Sequence, residues 1–432
     1  MTPSRNDVPS VSLELPLDSR FVPLVVAVTQ KSAAAFGADE AGAGDLALAG
    51  EEVFAYVCAA AKQGGSLALR CVDGVYFVQI ELAFQLATAD FRAFNLTATV
   101  SPDDESSLAE VGLLIAARVV DRLTLAEEPG GRLRLSLKKE KSYPVPAVQP
   151  LARVDSGAHC TLATPRPEHL KALAHALASE CPAAGFPAGF AVPGKLVDMV
   201  QSGEYGLLVA LDARGRLGGA VAWCHSRGRR MVECFGPYIF GAAEDTATEL
   251  LDGCISAVAR TEALGVLRRH GGPPLPEGYF EELGALGGDP EGQVHYRMLR
   301  EDLGTSVWAH PALIPFLDAE YQRLALAREV VPVRDEGERQ SVHSVFAAEH
   351  DRSRGAVTLR PLWPGADAAD NLRQHLAVLR RSGVEGLLFE LDLGVGWQAA
   401  LGGVLAAAGF VPQLLLPYAG EADVVVYCHA GG

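Results

Sequence analysis

The chain has 432 residues, of which 49% are hydrophobic and 21% are charged. That length exceeds what one hydrophobic core usually serves, so we expect an ordinary globular protein with two or three domains. The 37 Lys and Arg residues against 53 Asp and Glu give a formal net charge of −16, which argues against a general nucleic-acid or anionic-membrane surface.

Targeting and redox signals are weak. The first 20 residues contain no apolar stretch of the signal-peptide kind, and the apolar runs are too short to span a bilayer, so we expect a cytoplasmic protein. The eight cysteines are scattered singly without a Cys-x-x-Cys pair. We therefore expect reduced, mostly buried thiols and no metal site.

Composition predicts three domains, at residues 1–145, 151–302 and 303–432. Three prolines within residues 144–150 follow a basic run, and proline interrupts both helices and sheet ladders, so this stretch is predicted to be a linker. The third domain begins with an amphipathic helix, "ALIPFLDAEYQRLALAR".

The first domain is predicted to be a layer of helices on one sheet face. "SVSLELPLD" alternates as a strand, and "RFVPLVVAVTQKSAAAF" and "GDLALAGEEVFAYVCAAAKQG" have helical spacing. Two strands, "SLALRCVD" and "VYFVQIELAFQ", meet at the turn signal Asp73-Gly74. A helix, "SSLAEVGLLIAARVVDRLTL", and a last strand, "GRLRLSLKK", complete the order.

Residues 11–140 resemble the GHKL ATPase domain in its anti-sigma-factor and serine-kinase branch. The likeness is carried by "LPLDSRFVPLVVAVTQKSAAAFG", "DLALAGEEVFAYV" and "GLLIAARVVDRLTLAEEPGGRLRLSLKK". The resemblance implies a histidine kinase-like α/β sandwich that binds ATP and Mg²⁺. It also implies Glu51 as the catalytic glutamate and Gly112 as a nucleotide-binding glycine.

The nucleotide-binding groups of that family are largely missing. The magnesium-binding asparagine would stand one helical turn after the glutamate; that position is Ala55 if the glutamate is Glu51, and Tyr56 if it is Glu52. No glycine occurs between Val75 and Val111, although glycine allows backbone to approach phosphates closely. We therefore expect Glu51 and Gly112 to be vestigial. What the resemblance then implies is binding of a protein partner: a sigma factor, one of its regulators or another regulatory protein. It is also compatible with a homodimer.

The rest of the chain contains two similar stretches. Residues 278–296 and 409–427 both begin with Gly followed by an aromatic residue and end with Tyr after 19 positions. Upstream of each, proline and glycine stand four apart before a predicted helix, at Pro237–Gly241 and Pro361–Gly365. This predicts a divergent internal duplication, with chance coincidence of the two spacings as the alternative.

Residues 151–432 resemble the GNAT (GCN5-related N-acetyltransferase) fold in their order of elements. Each half is predicted to run strand, Pro-x-x-x-Gly turn, helix, strand, helix, strand, strand. The expected fold class is thus α+β and α/β multidomain: a GHKL-like sandwich followed by two GNAT-like mixed α/β domains, the second partial. The resemblance implies acyl-CoA held at a helix N-terminus, with Gly236 and Gly241 as the acyl-CoA-binding candidates.

Acidic residues stand at the start of both helices: Glu244 and Asp245, and Asp367 and Asp370. Carboxylates there cap a helix but repel a pyrophosphate, so we expect capped structural helices.

Several residues could serve as acid, base or ligand contact. They are Glu233, His225, Tyr279, Tyr296, Trp397 and the "RGRR" stretch at 227–230. A structural or solvated role is the favoured interpretation of each, because single polar residues on strands usually pack and find one hydrogen-bond partner.

Three functions compete. The first is a regulatory protein of the anti-sigma-factor, partner-switching kind that acts by protein binding with little or no ATP turnover and no cofactor. The alternative is an acyl-CoA-dependent N-acetyltransferase with a regulatory N-terminal module, using acetyl-CoA. An ATP- and magnesium-dependent serine kinase is the third. None of them predicts a nucleic-acid or membrane partner.

Overall fold

The computed structural model describes residues 8–61, 64–86, 90–98, 111–144, 154–226, 228, 230–269, 275–286, 292–334, 337, 340–351, 353–384 and 386–430. The chain forms two compact units. Unit 1 comprises residues 1–142, 337–348 and 360–382, and unit 2 comprises residues 143–336, 349–359 and 383–432. The first break lies near the predicted linker. The division into three domains stays a prediction.

Unit 1 contains a five-stranded antiparallel sheet in the order β1-β2-β3-β5-β4. Its N-terminal elements are β1 (Ser10–Pro16), α1 (Val22–Ala35), α2 (Glu40–Ala60), β2 (Ser66–Asp73), β3 (Phe77–Phe84), α3 (Val111–Val119), β4 (Arg122–Glu128) and β5 (Arg132–Glu140). Alternate strand residues such as Leu69, Ile80 and Leu135 are buried against the helices, because successive strand side chains point to opposite faces.

The predicted order of elements is confirmed except at one place. The predicted helix over residues 106–125 was wrong at its end: α3 stops at Val119, and residues 122–128 form β4. Leu125 is buried two positions after the half-buried Leu123, a strand period, and Gly130 and Gly131 take positive φ angles to close the β4–β5 hairpin. Residues 99–110 lie outside the described residues.

Unit 2 contains a seven-stranded sheet in the order β11-β12-β10-β9-β8-β7-β6. Its elements are β6 (Thr161–Ala163), α4 (Pro167–Glu180), α5 (Pro193–Gln201), β7 (Tyr205–Leu211), β8 (Leu217–His225), β9 (Met231–Ile239), α6 (Asp245–Val258), β10 (Gly265–Arg268), β11 (Glu281–Ala285) and β12 (Gln293–Met298). Neighbouring strands are antiparallel except β9 and β10, which are parallel.

A parallel strand pair and a second, five-stranded sheet follow. The pair is β13 (Thr305–Ala309) with β14 (Arg328–Pro332), and α7 (Ile314–Arg323) lies between them in sequence. The sheet has the order β15-β16-β17-β19-β18. Its elements are β15 (Val345–Asp351), β16 (Ala356–Trp363), α8 (Ala368–Arg381), β17 (Gly386–Asp392), α9 (Gly396–Ala399), α10 (Gly402–Ala407), β18 (Phe410–Leu416) and β19 (Val424–His429). Helix α8 belongs to unit 1.

The two sheets formed by residues after 150 share topology and register, as the predicted duplication requires. The order β11-β12-β10-β9-β8 matches β18-β19-β17-β16-β15, with one parallel pair at the same place. Equivalent partners are Glu281 with Tyr296 and Pro412 with Tyr427, then Gly284 with Val294 and Leu415 with Val425. A bulge lies between the two pairs in each hairpin. Equal register in addition to equal spacing favours duplication over coincidence. One predicted element differs between the halves: α9 and α10 lie between β17 and β18, whereas the described residues 275–280 between β10 and β11 form no helix.

All eight cysteines are free; Cys71, Cys234 and Cys254 are buried and the other five are half-buried. The expectation that most of the thiols are buried was therefore wrong. Among the helices of the described residues, none is both long enough and apolar enough to cross a membrane.

Candidate functional site

Strand β9 extends beyond its parallel partner β10 at the centre of the unit 2 sheet. The two strands pair from Met231 with Gly265 as far as Glu233 with Leu267. Beyond that point β9 continues to Ile239, whereas β10 ends at Arg268. This extension of β9 leads into the loop before α6, which contains Gly241, one of the predicted acyl-CoA-binding residues.

Gly236 lies in the part of β9 beyond β10 and is required there by backbone geometry. Its φ is +93°, it precedes a cis peptide bond to Pro237, and it lies within a bulge of the β8–β9 ladder. A Cβ at this position would lie 2.9 Å from the backbone nitrogen of Tyr238. Only glycine fits such a conformation without strain.

Gly241 lies in the loop between β9 and α6, which is crossed by residues 154–160; we call this segment the strap. Gly157 N donates to the Gly241 carbonyl at 2.9 Å, and Ala243 N donates to the Ala158 carbonyl at 3.1 Å. Gly241 has a φ of +84°. One backbone amide of the predicted pyrophosphate-binding loop, that of Ala243, therefore already donates a hydrogen bond to the strap.

The strap is fixed to the β7–β8 turn by charge and close packing. Asp155 Oδ2 lies 3.0 Å from Arg216 Nη2, and Arg216 Nε lies 2.7 Å from Asp212 Oδ2. Asp212 Oδ1 also accepts from the backbone nitrogen of Arg216 at 2.8 Å. Gly218 leaves the space that the Cys160 thiol fills. These contacts hold the strap on the loop without a ligand.

The acidic helix starts do not behave as predicted. Glu244 is the N-cap residue of α6 but makes no side-chain cap hydrogen bond. Asp367 at the start of α8 also fails to cap its own helix; its carboxylate instead accepts from Ser344 N at 2.6 Å and contacts His343 Nδ1 at 2.9 Å. The predicted side-chain capping was therefore wrong at Glu244 and at Asp367. At Asp367 the reason is that the carboxylate binds residues 343 and 344 instead.

Glu233 lies on one sheet face with a cluster of three aromatic rings. The Phe190 ring centroid is 5.2 Å from that of Tyr205 and 5.6 Å from that of Phe235. Glu233 precedes Phe235 by two strand positions and therefore shares its face. Tyr205, Cys224 and Glu233 are in register across three strands. Burial first, and then the Glu233 charge, raise the pKa of the Cys224 thiol, so this thiol stays protonated beside Glu233.

Two of the remaining unit 2 candidates, Tyr279 and Tyr296, have ordinary structural partners. Tyr279 Oη donates to Asp252 at 2.9 Å and Tyr296 Oη donates to Glu281 at 3.0 Å. The hydrogen bond to Asp252 raises the pKa of Tyr279, and burial raises the pKa of Tyr296, which keeps both hydroxyls protonated. His225 is exposed and Trp397 is half-buried. Arg227 and Arg229 lie outside the described residues.

In unit 1 the two glutamates of α2 have different surroundings. Both are half-buried, but Glu52 is the one that contacts α3: a Cβ at Gly112 would collide with its carboxylate. Burial, followed by the nearby Glu51 charge, raises the pKa of Glu52. Gly112 thus provides space for Glu52, a contact that a single sequence does not reveal.

The turn of α2 at residues 55 and 56, where the GHKL family would carry its magnesium ligand, is hydrogen-bonded to another segment of unit 1. Tyr56 Oη donates to the Asp90 carbonyl at 2.6 Å and accepts from Asp90 N at 3.1 Å. Asn95 Nδ2 then donates to the Ser344 carbonyl at 2.8 Å. Ala55 offers no metal-binding group. Among the described residues, no group of three or more His, Cys, Asp or Glu side chains could hold a metal ion.

Comparison with known proteins gives little further information. No family model matches the sequence, and no curated protein matches it either. Similar solved structures include the GNAT family N-acetyltransferase YhbS from Escherichia coli in complex with CoA, at 15% identity, with 43% of this chain and 96% of that chain covered and a TM-score of 0.26. An acetyltransferase of the GNAT family from Staphylococcus aureus Mu50 matches at 12% identity, with coverages of 33% and 99% and a TM-score of 0.25. Such low scores carry no argument about function.

Proposed function

We propose that unit 2 is an acyl-CoA-dependent N-acyltransferase and that unit 1 regulates it or a partner. The supporting observation is that β9 continues to Ile239, shortly before α6, after its pairing with β10 has ended at Glu233 and Leu267. A strand that extends beyond its neighbour offers backbone groups to an extended ligand, and amides at a helix start attract phosphate. A phosphate-bearing thioester such as acyl-CoA combines both features.

The proposed reaction transfers an acyl group to an amine. Glu233 accepts one proton from the substrate ammonium, the resulting amine attacks the thioester carbonyl, a C–N bond forms and the C–S bond breaks. The second proton that the nitrogen loses passes to the leaving thiolate, and Glu233 releases its proton to solvent, so atoms and charges balance. The half-buried ring of Tyr205, in register with Glu233 across β8, offers the acceptor an apolar contact.

Two features of the loop before α6 oppose the binding of acyl-CoA. The backbone nitrogen of Ala243 already donates its hydrogen bond to the Ala158 carbonyl of the strap. Glu244 and Asp245 add negative charge at the helix start, which repels a pyrophosphate. A bound acyl-CoA therefore requires the strap to leave this loop.

Calorimetry of the full chain with acetyl-CoA tests the proposal. We expect saturable binding that Gly241→Val weakens, because a β-branched residue at this positive φ distorts the loop. Gly215→Val is the matched control: Gly215 also has a positive φ, but no atom lies within 4 Å of a Cβ added there. Absence of acetyl-CoA binding by the unaltered chain would refute the acyltransferase function.

Turnover is tested separately with labelled acetyl-CoA and a panel of primary amines. Glu233→Gln should keep acetyl-CoA binding and lower the transfer rate by about 10²–10⁴-fold, the usual contribution of a general base. An unchanged rate would exclude Glu233 from the role.

Partner binding by unit 1 is a second candidate function. It is favoured by the contacts of Tyr56 and Asn95, which join protein segments where the resemblance implies magnesium and nucleotide. The partner proposed from that resemblance is a sigma factor or one of its regulators. Calorimetry with Mg-ATP should show no binding, whereas a purified sigma factor should bind; tight Mg-ATP binding would contradict this function.

A further inference from the structure

A shallow cavity of about 520 Å³ lies on the face of the unit 1 sheet that its helices leave uncovered. The buried residues of the strands pack on α1, α2 and α3, so the alternate residues point into this cavity. We call the cavity the basin. Its floor is formed by Ala68 and Ala83. The charged residues around that floor are Glu14, Arg70, Glu81, Glu128, Arg132 and Arg134.

The two ends of the basin lie three strand spacings apart. One row across the sheet reads Glu14 on β1, Ala68 on β2, Ala83 on β3 and Arg134 on β5. Because neighbouring strands are about 4.8 Å apart, the Cα atoms of Glu14 and Arg134 are separated by about 14 Å. The short alanine side chains leave the space between these two ends open to a ligand.

The β5 end of the basin has an excess of positive charge. Arg132 and Arg134 line it together with one carboxylate, that of Glu128, which forms an ion pair with Arg134. Arg132 is exposed, and its Nη2 donates to the Ala83 carbonyl at 3.4 Å. Two arginines and one glutamate leave a net charge of +1 at this end. A ligand carboxylate would compensate that charge.

The β1 end is negative and the middle of the basin is neutral. Glu14 is exposed, and its Oε1 accepts from Ser66 Oγ at 2.9 Å. Between the two ends, Arg70 on β2 stands opposite Glu81 on β3, with 3.7 Å between Nη1 and Oε2. These two charges compensate each other. The basin therefore has one negative end and one positive end.

We propose that the basin binds a zwitterion of the size of a tripeptide, with its ammonium at Glu14 and its carboxylate at Arg132 and Arg134. An extended tripeptide spans about 10 Å, and the side chains of Glu14 and Arg134 cover the rest of the 14 Å or so between the ends. Both end groups then make charge-assisted hydrogen bonds. A polyanion is repelled by Glu14 and a polycation by Arg132, so neither fits both ends.

Calorimetry of the full chain with triglycine, at low salt, tests this proposal. We expect saturable binding. Glycine is too short to reach both ends, and N-acetyl-triglycine amide lacks both charges. Each should therefore bind about 10-fold more weakly or worse, because at least one charge-assisted hydrogen bond is lost. Absence of saturable triglycine binding, or equal affinity for the amide, would overturn the proposal.

Glu14→Gln tests where the ammonium binds. It should weaken triglycine binding about 10-fold and leave the binding of N-acetyl-triglycine, which has no ammonium, unchanged. Glu127→Gln is the matched control, since it removes the same charge from the neighbouring strand β4 at a position that alternates away from the basin. Equal effects of the two substitutions on triglycine, or equal effects of Glu14→Gln on the two peptides, would contradict the assigned orientation and with it the proposal.

Circular dichroism melts of both variants distinguish lost binding from lost folding. The proposal depends neither on acyl transfer by unit 2 nor on protein binding by unit 1, so it can hold or fail independently of them.

Discussion

The side chain of Arg328 is a fully enclosed charge in unit 2, and its surroundings show how a single residue can control stability. Its side chain has no solvent exposure; Nε lies 2.7 Å from Asp423 Oδ2 and Nη1 lies 2.7 Å from Asp302 Oδ2. The ring centroid of Tyr418 lies 4.4 Å from the guanidinium carbon. These contacts compensate the cost of burying the charges, and loss of one partner leaves the others uncompensated.

Replacing Arg328 should therefore destabilise the folded protein strongly. We expect Arg328→Met to lower the free energy of unfolding by about 3–5 kcal/mol, the typical cost of breaking a buried pair. Arg373→Met is the control, because Arg373 is 70% exposed in its pair with Asp370, and such surface pairs contribute about 0–1 kcal/mol. Urea unfolding of both variants measures the difference. Equal losses of unfolding free energy would show that the buried ion pairs of Arg328 stabilise the protein no more than an exposed pair does.

The same cluster predicts an acid-sensitive stability. Burial alone would raise the pKa of Asp302, but hydrogen bonds from Tyr418 and Arg328 outweigh it and hold the pKa below its ordinary value. A carboxylate with a depressed folded-state pKa stabilises the fold above the unfolded pKa, about 3.9, and this contribution is lost as the pH falls through the lower folded-state value. Urea midpoints should fall below about pH 4, and less steeply in Asp302→Asn. An identical pH profile for that variant would contradict the assignment.

At the scale of elements, the strap is the feature that most affects the proposed acyl-CoA site. It is held by two backbone hydrogen bonds to the loop before α6 and by the Asp155–Arg216 pair. Asp155 is 74% exposed, so solvent screens the pair and its contribution is small. The strap should therefore open without unfolding the sheet.

Weakening the strap should expose the loop. Asp155→Asn is expected to speed amide hydrogen exchange at Gly157 and Ala243, and to tighten acetyl-CoA binding by no more than about 5-fold, given the modest energy of an exposed pair. Arg214→Gln is the control, because this exposed arginine of the same turn uses its backbone nitrogen, not its side chain, to bond Asp212. Unchanged exchange in Asp155→Asn would show that the pair does not hold the strap.

Sequence reasoning succeeded where the signal is local. The β2–β3 hairpin at Asp73-Gly74 is as predicted, and the helical spacing of "GDLALAGEEVFAYVCAAAKQG" corresponds to α2, on which Leu46, Val53 and Val57 are buried. The helix over 106–125 was wrong because a short amphipathic strand and a helix end share the same apolar residues. The strap contacts were not predicted, since they join Gly157 to Gly241 through backbone atoms that carry no sequence signature. The catalytic role of Glu233 stays a proposal.

At the scale of the whole molecule, the least predictable feature is that unit 1 is built from three separate stretches. Asn95 bonds Ser344 and Phe346, and Asn371 Nδ2 donates to Asn95 Oδ1 at 3.1 Å. Val345 is fully buried in the core that β2, β3 and α2 form. The GHKL resemblance of residues 11–140 stays a prediction. It concerns those residues alone, whereas the core of unit 1 also includes later segments of the chain.

The N-terminal stretch should not fold by itself. Residues 1–144 alone would expose the core around Val345 and leave buried polar groups such as the Asn95 amide without their partners, which costs about 1–3 kcal/mol for each group. We expect this fragment to lack cooperative thermal unfolding by circular dichroism, whereas the full chain should show it. A fragment with a sharp transition would mean that residues 337–348 and 360–382 are dispensable.

This arrangement also sets the timing of biogenesis. The last segment of unit 1 ends at residue 382 and the first at residue 142, so 382 − 142 = 240 further residues must be synthesised before every part of this core has left the ribosome. At translation rates of about 5–20 residues per second, the nascent N-terminal strands wait about 12–48 s. Throughout that interval their apolar side chains are available to chaperones, and a slow or stalled ribosome prolongs the exposure.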